Sequence, residues 1–334
     1  MENENELEVL EEAQEIAPTE ENKEEAPVEE AQPEPEPITY SSSYLEAIEK
    51  ARADFLKIYR TQNVFKWVVS FIAIATVIVG AVVIPNLGIA NSLYIMIGML
   101  VGALALTILF TVFARKYIRQ KMNAYFNLYY KNINDFVFGD IASNIEAQFP
   151  GKIQNDAFLD NNLFKDVVDV GSRGLTEFTY NNVPIAVADA AAQIRKDKRL
   201  YPAFVGKYLY AASNYKDDDG LYIYFKGDKR ALPPTNLDGV KTVQEDKKMI
   251  IYSNNKEWKK VISADVKKIL TSIEMNKELV DLSISLQKGR IFVCMGYDDP
   301  LMVLPLQQQF DPKPTETYKK DVIKVLKLIE EFNK

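Results

Sequence analysis

The chain has 334 residues, 26% of them charged and 47% hydrophobic, and a net charge of −7. The first forty hold fifteen Glu and one Lys, so a tail of −14 precedes a body of +7. With no histidine and a single cysteine, Cys294, the sequence excludes Ser-His-Asp and Cys-His sites, His- or Cys-rich zinc, haem on histidine and any internal disulfide.

Residues 1–40 mix Glu with five prolines and bury too little apolar surface to offset the entropy of ordering, which predicts disorder. The acidic, polar start lacks the basic region and apolar stretch of a secretory signal, so no cleavable signal is expected. Ser43-Tyr44-Leu45-Glu46 has the form of a capping box. It opens an amphipathic juxtamembrane helix over 43–63, with Leu45, Ile48, Phe55, Ile58 and Tyr59 at helical spacing.

From Trp67 to Ala114 there are 48 residues without a charge. At about 1.5 Å per residue that is close to two crossings of a ~30 Å hydrocarbon layer. Pro85-Asn86-Leu87-Gly88 supplies a turn between spans at 64–84 and 89–113. Core helices of this length carry a polar face, which these lack. Lys50, Arg52, Lys57, Arg60 and Lys66 precede the hairpin, Arg115, Lys116, Arg119 and Lys121 follow it, and the loop between has none. The positive-inside rule then puts both termini in the cytoplasm of a two-span cell-membrane protein. Arg60, Lys66, Arg115, Lys116 and Arg119 are the candidates for lipid headgroup contact, although setting the topology would by itself account for them.

Gly98-Met-Leu-Val-Gly102 and Thr76-x-x-x-Gly80 are small-residue faces suited to close helix packing. They serve either the hairpin itself, which the tether favours, or a homo-oligomer. With no acid or base between residues 67 and 114, a proton or ion pathway has nothing to use there.

The apolar stripe continues through Tyr117, Tyr125, Tyr129, Ile133 and Val137, predicting a juxtamembrane helix within 114–149 that packs on the 43–62 helix. After it comes an α+β domain over 150–334 with a mainly antiparallel sheet. Strands are expected at 166–171, 175–180, 183–192, 200–213, 221–225, 249–253, 282–287, 291–297 and 301–306. Asn181-Asn182 and Lys288-Gly289 are turns, and Ser283, Ser285 and Gln287 alternate with Leu282, Ile284 and Leu286 as on a half-buried strand. One amphipathic helix covers Trp258 to Ile273, and another carries Tyr318, Val322, Val325, Leu326, Ile329 and Phe332 on one face.

Catalytic motifs are weak. Tyr215-Lys-Asp217-Asp218-Asp219-Gly220 has Tyr215 and Lys226 where a calcium loop needs its first and twelfth acids, so it is expected to be a hairpin turn. Gly171-Ser-Arg-Gly174, Gly151-Lys152 and Gly206-Lys207 fall short of nucleotide-binding motifs. Asp166, Asp169, Glu177 and Asp189 are expected on solvated strand faces, and Cys294 in an apolar strand. Tyr208, Tyr210, Tyr222 and Tyr224 are a packed aromatic row or the wall of a cleft. No cofactor, metal or nucleic-acid site is expected.

Asp166-Val-Val-Asp-Val-Gly171 leading to Glu177-Phe178, the 204–216 strand, Met249-Ile-Ile-Tyr-Ser-Asn254 and residues 282–296 before a terminal helix carry a resemblance. With the hairpin before them, the layout over 43–333 resembles the bacterial family called domain of unknown function 3137, which implies no activity. The expected function is a membrane-anchored cytosolic interaction or scaffold domain, bound to the lipid bilayer and to a protein partner or a second copy. The alternatives are a ligand-sensing or histidine-independent enzymatic domain on the same tether, and lipid sensing through the juxtamembrane helices.

Overall fold

The computed structural model describes residues 42–86, 92–149, 151–226, 239–297, 306 and 308–334. The expected disordered tail, the hairpin turn at 87–88 and all but Leu306 of the expected 301–306 strand lie outside the described residues.

Two long helices open the chain, α1 (Ser42–Asn86) and α2 (Ser92–Phe138). They run antiparallel: Phe65 meets Phe110 edge-on at 5.0 Å and Phe55 stacks on Tyr125 at 5.7 Å. Each continues without a break from its charge-free half into its polar half, so the stretches read as 43–63 and 64–84 are one helix. Neither proline nor glycine stands between residues 43 and 79 to interrupt it. Pro85 and Asn86 fall in the last turn of α1 rather than in a loop.

The rest is a nine-stranded sheet with short helices: β1 (Ser143–Gln148), α3 (Asn155–Leu159), β2 (Val167–Tyr180), β3 (Val183–Lys196), β4 (Arg199–Ala212), β5 (Leu221–Phe225), β6 (Lys241–Glu245), β7 (Met249–Ser253), α4 (Trp258–Val261), α5 (Ala264–Ser272), β8 (Leu279–Gln287), β9 (Arg290–Tyr297) and α6 (Lys313–Phe332). The strand order is β1-β2-β3-β4-β9-β8-β5-β7-β6, with each neighbouring pair antiparallel. The chain is therefore α+β.

Asn181 and Asn182 (φ 44° and 66°), Asp197 and Lys198 (49° and 64°), and Lys288 and Gly289 (50° and 73°) turn three hairpins in two residues each. The Tyr215–Gly220 loop is not a hairpin, because β4 and β5 are separated in the sheet by β9 and β8. Its Tyr215 hydroxyl donates to the Asp219 carbonyl, and Asn255 Nδ2 donates to both Tyr215 and Asp217. The expected helix from Trp258 to Ile273 is two: α4 stops at Val261, and Ser263 Oγ accepts from the Val266 amide to begin α5.

Strand alternation divides the core. On one face Ile185, Val187, Leu209, Ile223, Ile284, Val293 and Met295 pack with α5, α6 and the ends of α1 and α2, through Ile48, Tyr129, Ile133 and Val137. The helices from the apolar hairpin are thus part of the domain's own core. On the other face Ala188, Ala190, Phe204, Tyr208, Tyr222, Tyr224, Phe292 and Cys294 pack beneath Ile153, Phe158 and Leu163.

That cover explains why β8 is buried on both faces instead of one. Gln287 Nε2 donates to the carbonyls of Asp160 and Asn161, so its polar face is met by backbone acceptors of the 151–166 segment. The tyrosines are held likewise: Tyr208 donates to Ala157 O at 2.6 Å and Tyr224 to Leu163 O at 3.0 Å. They form a packed row, with Tyr210 half-buried at its margin.

Candidate functional site

Ser43–Val83 and Leu93–Phe138 are long and apolar enough to cross a membrane. Their apolar side chains point away from the protein: Trp67 is 79% exposed, Leu106 68%, and Phe71, Ile74, Ile78, Leu104 and Phe113 are exposed with them. Monomeric soluble proteins rarely leave contiguous apolar patches beyond a few hundred Å² in water. Arg60, Arg115, Lys116 and Arg119 are exposed where this surface ends, and Lys66, half-buried, stands one turn inside it.

The small-residue faces do not close on each other. A side chain added at Gly98 or Gly102 would meet nothing within 4 Å, so packing inside the hairpin, the use the tether favours, is not how this structure employs them. Thr76 Oγ1 bonds back to Ile72 O, and Thr76 and Gly80 line a shallow apolar groove with Met99.

The expected set of acids separates as well, with one departure from the expected solvation. Asp166, Asp169 and Glu177 are exposed, but Asp189 turns inward from β3. Its carboxylate pairs with the Lys207 ammonium of β4, accepts from the Tyr130 hydroxyl of α2 at 2.8 Å, and has Arg173 Nε of β2 at 3.8 Å. The register sets this up: Arg173, Asp189 and Lys207 are opposite one another on three adjacent strands. Gly174, at φ +66°, admits the Tyr130 ring, which a Cβ there would strike at 2.3 Å.

Arg173, Asp189 and Lys207, with Gly171, Val205 and Tyr297, line an open cavity of about 300 Å³. The ring of Tyr318 of α6 is 5.2 Å from Lys207 Nζ and edge-on to Tyr297. The Tyr318 hydroxyl is buried without a hydrogen-bond partner among the described residues. Burial pulls the Lys207 ammonium down, against the raising effect of Asp189. Burial also pushes the Tyr130, Tyr297 and Tyr318 phenols well up, so all three stay protonated donors at neutral pH. Asp189 and Lys207 cancel in charge, which leaves Arg173 as the cationic group at the mouth. The cavity is suited to a small ligand with an anionic end and an apolar body.

Lys207 and Arg173 were not among the expected site residues, although Lys207 is the only charge between Ala203 and Ala212. Cys294 is buried in β9, where burial pushes its thiol well up and away from the reactive thiolate.

No family model matches the chain, and no curated protein matches it. Among solved structures, the crystal structure of the mycobacterial trehalose monomycolate transport factor A, TtfA, superimposes with a TM-score of 0.38 at 8% identity, covering 61% of this chain and 95% of that one. A likeness of that degree carries no argument.

Proposed function

We propose that this chain is a two-span membrane protein whose α+β body serves on the cytosolic side as an interaction or scaffold domain, with both termini cytosolic. The observation that carries the reading is the continuity of α1 and α2. Each runs unbroken from an exposed, charge-free half to a half buried in the core through Ile48, Tyr129, Ile133 and Val137. No break in either helix separates the two halves, so a bilayer around the first would hold the body close to the membrane surface. The basic residues at the inner ends of both helices support the orientation. The same layout supports placing the chain beside the domain of unknown function 3137 family.

A second reading, a tethered sensor of a small anionic ligand, is favoured by the Arg173-Asp189-Lys207 cavity. Crosslinking in native membranes, with Arg173→Gln as a second arm, separates the two. A specific partner retained by Arg173→Gln supports the scaffold, whereas a partner lost in that variant supports the sensor. No crosslink beyond the chain itself counts against the scaffold.

A further inference from the structure

β2, β3 and β4 outrun the strands beside them. β9 pairs with β4 only as far as Gly206, and β1 with β2 only as far as Leu175, while β3 and β4 run on together to their turn at Asp197 and Lys198. The tip of this arm bears Arg195, Lys196, Lys198 and Arg199, all exposed, against Asp197 and against Asp166, which directly precedes Val167, the partner of Ile194; Asp169 is opposite Gln193. Outside the two long helices, four large apolar side chains among the described residues are exposed. Three of them, Val168, Leu200 (52%) and Tyr201 (42%), are on this arm.

The direction of the arm follows from its contacts with α2. Phe138 stacks on Phe178 at 4.3 Å, and eight residues earlier Tyr130 lies against Gly174. Eight helical residues advance about 12 Å and four strand residues about 13 Å. Traced backward, α2 and β2 therefore travel together, and the start of β2, at Val167, is opposite Ile194 near the tip. From the Tyr130–Asp189 hydrogen bond, α2 covers about 24 Å to Ala114, and β3 covers about 26 Å to Asp197. The basic tip thus stands level with the end of the charge-free stretch.

We infer that the β3–β4 tip is a second membrane contact, with Arg195, Lys196, Lys198 and Arg199 on the phosphates of anionic phospholipids and Leu200 and Tyr201 set among the headgroups. The chemistry fits on both counts. Basic groups within a Debye length of an anionic leaflet are drawn to it, and tyrosine settles at the membrane–water interface. The inference rests on the spanning reading above and gives the body a third point of support beyond its two helices.

The test uses the full chain in vesicles of phosphatidylcholine, alone or mixed with phosphatidylglycerol. Single cysteines, Tyr201→Cys or Val101→Cys, carry an environment-sensitive fluorophore; Cys294 is wholly buried and stays unlabelled. Lipids bearing a spin label in the headgroup or deep in the chain act as quenchers. A label at 101 is expected to be quenched by the deep lipid in both mixtures. A label at 201 is expected to be quenched by the headgroup lipid, about twofold more strongly or better with phosphatidylglycerol, and that gain is lost when the four basic residues become Gln. If 101 is quenched and 201 is not, the tip stands off the membrane and the inference falls. It also falls if quenching at 201 ignores lipid charge. If 101 is not quenched, the spanning reading itself has failed.

Discussion

Asp189→Asn takes the carboxylate away from the Lys207 ammonium while leaving an oxygen to accept from Tyr130. The Lys207 side chain is 6% exposed and that of Asp189 18%. Removing one member of a buried ion pair costs about 3–5 kcal/mol, because the charge left behind stays desolvated. The partial exposure of Asp189 and the nearby Arg173 place this case at about 3 kcal/mol. For a body of this size each kcal/mol lowers the unfolding temperature by about 2–4 °C, so a fall of roughly 6–12 °C is expected. Thermal unfolding of the full chain in detergent, followed by near-UV circular dichroism, reads it directly. Asp189→Leu combined with Lys207→Met, which removes both charges and keeps the volume, is expected to recover most of the loss. If Asp189→Asn unfolds within about 2 °C of the parent, the pair is solvated and the description of the cavity floor is wrong.

Gly206→Ala should be more damaging than a methyl group suggests, since the new Cβ would meet the Met295 carbonyl oxygen at 2.0 Å and force β4 from β9. A loss above about 2 kcal/mol in urea unfolding is expected, and a neutral result would show that the strands yield freely. Asp321 is pushed up to about 6, chiefly by burial beside Tyr297, against an ordinary value of 3.8. The folded state therefore binds the proton more tightly, and stability rises as pH falls from 7 through 6 and levels off below about 4. Asp321→Asn should remove that rise and be roughly 3 kcal/mol more stable than the parent at neutral pH, with the two converging near pH 4. Urea titrations across that range check it; parallel curves would contradict it. Gly98→Ile and Gly102→Ile should leave the unfolding temperature of the detergent-solubilised monomer unchanged within about 1 °C, because both positions open onto free space. A large drop would mean that the hairpin closes on these glycines after all.

What the sequence reveals here follows from the range of the interactions involved. β5 and β7 were readable to the residue because short Tyr- and Ile-rich runs end at turn residues, and Asn181-Asn182 because asparagine tolerates positive φ. The Asp197-Lys198 turn was hidden, since a lysine at φ 64° is chosen by the pairing of β3 and β4 and not by its own preference. β8 looked half-buried because its serines and Gln287 alternate with leucine and isoleucine; Ser283 and Ser285 bond to Asp281 and Gln287 on the same strand, and Gln287 reaches carbonyls some 125 residues away. Separation along the chain also hid the candidate site. Asp189, Lys207, Arg173 and Tyr130 are scattered over the chain, and only the register of three strands and the docking of α2 bring them together. The two long apolar helices were legible because a charge-free run of 48 residues needs no tertiary context to stand out, whereas their unbroken continuation into the body was not.

In the proposed function α1 and α2 seat this body in a bilayer through their charge-free halves. Flotation of membranes from cells producing the full chain, after an alkaline carbonate wash, tests it most directly. The chain is expected to rise with the lipid fraction and to be released only by detergent, as for a helix pair with no charge between Trp67 and Ala114. Recovery of the chain in the soluble fraction after the wash would contradict it.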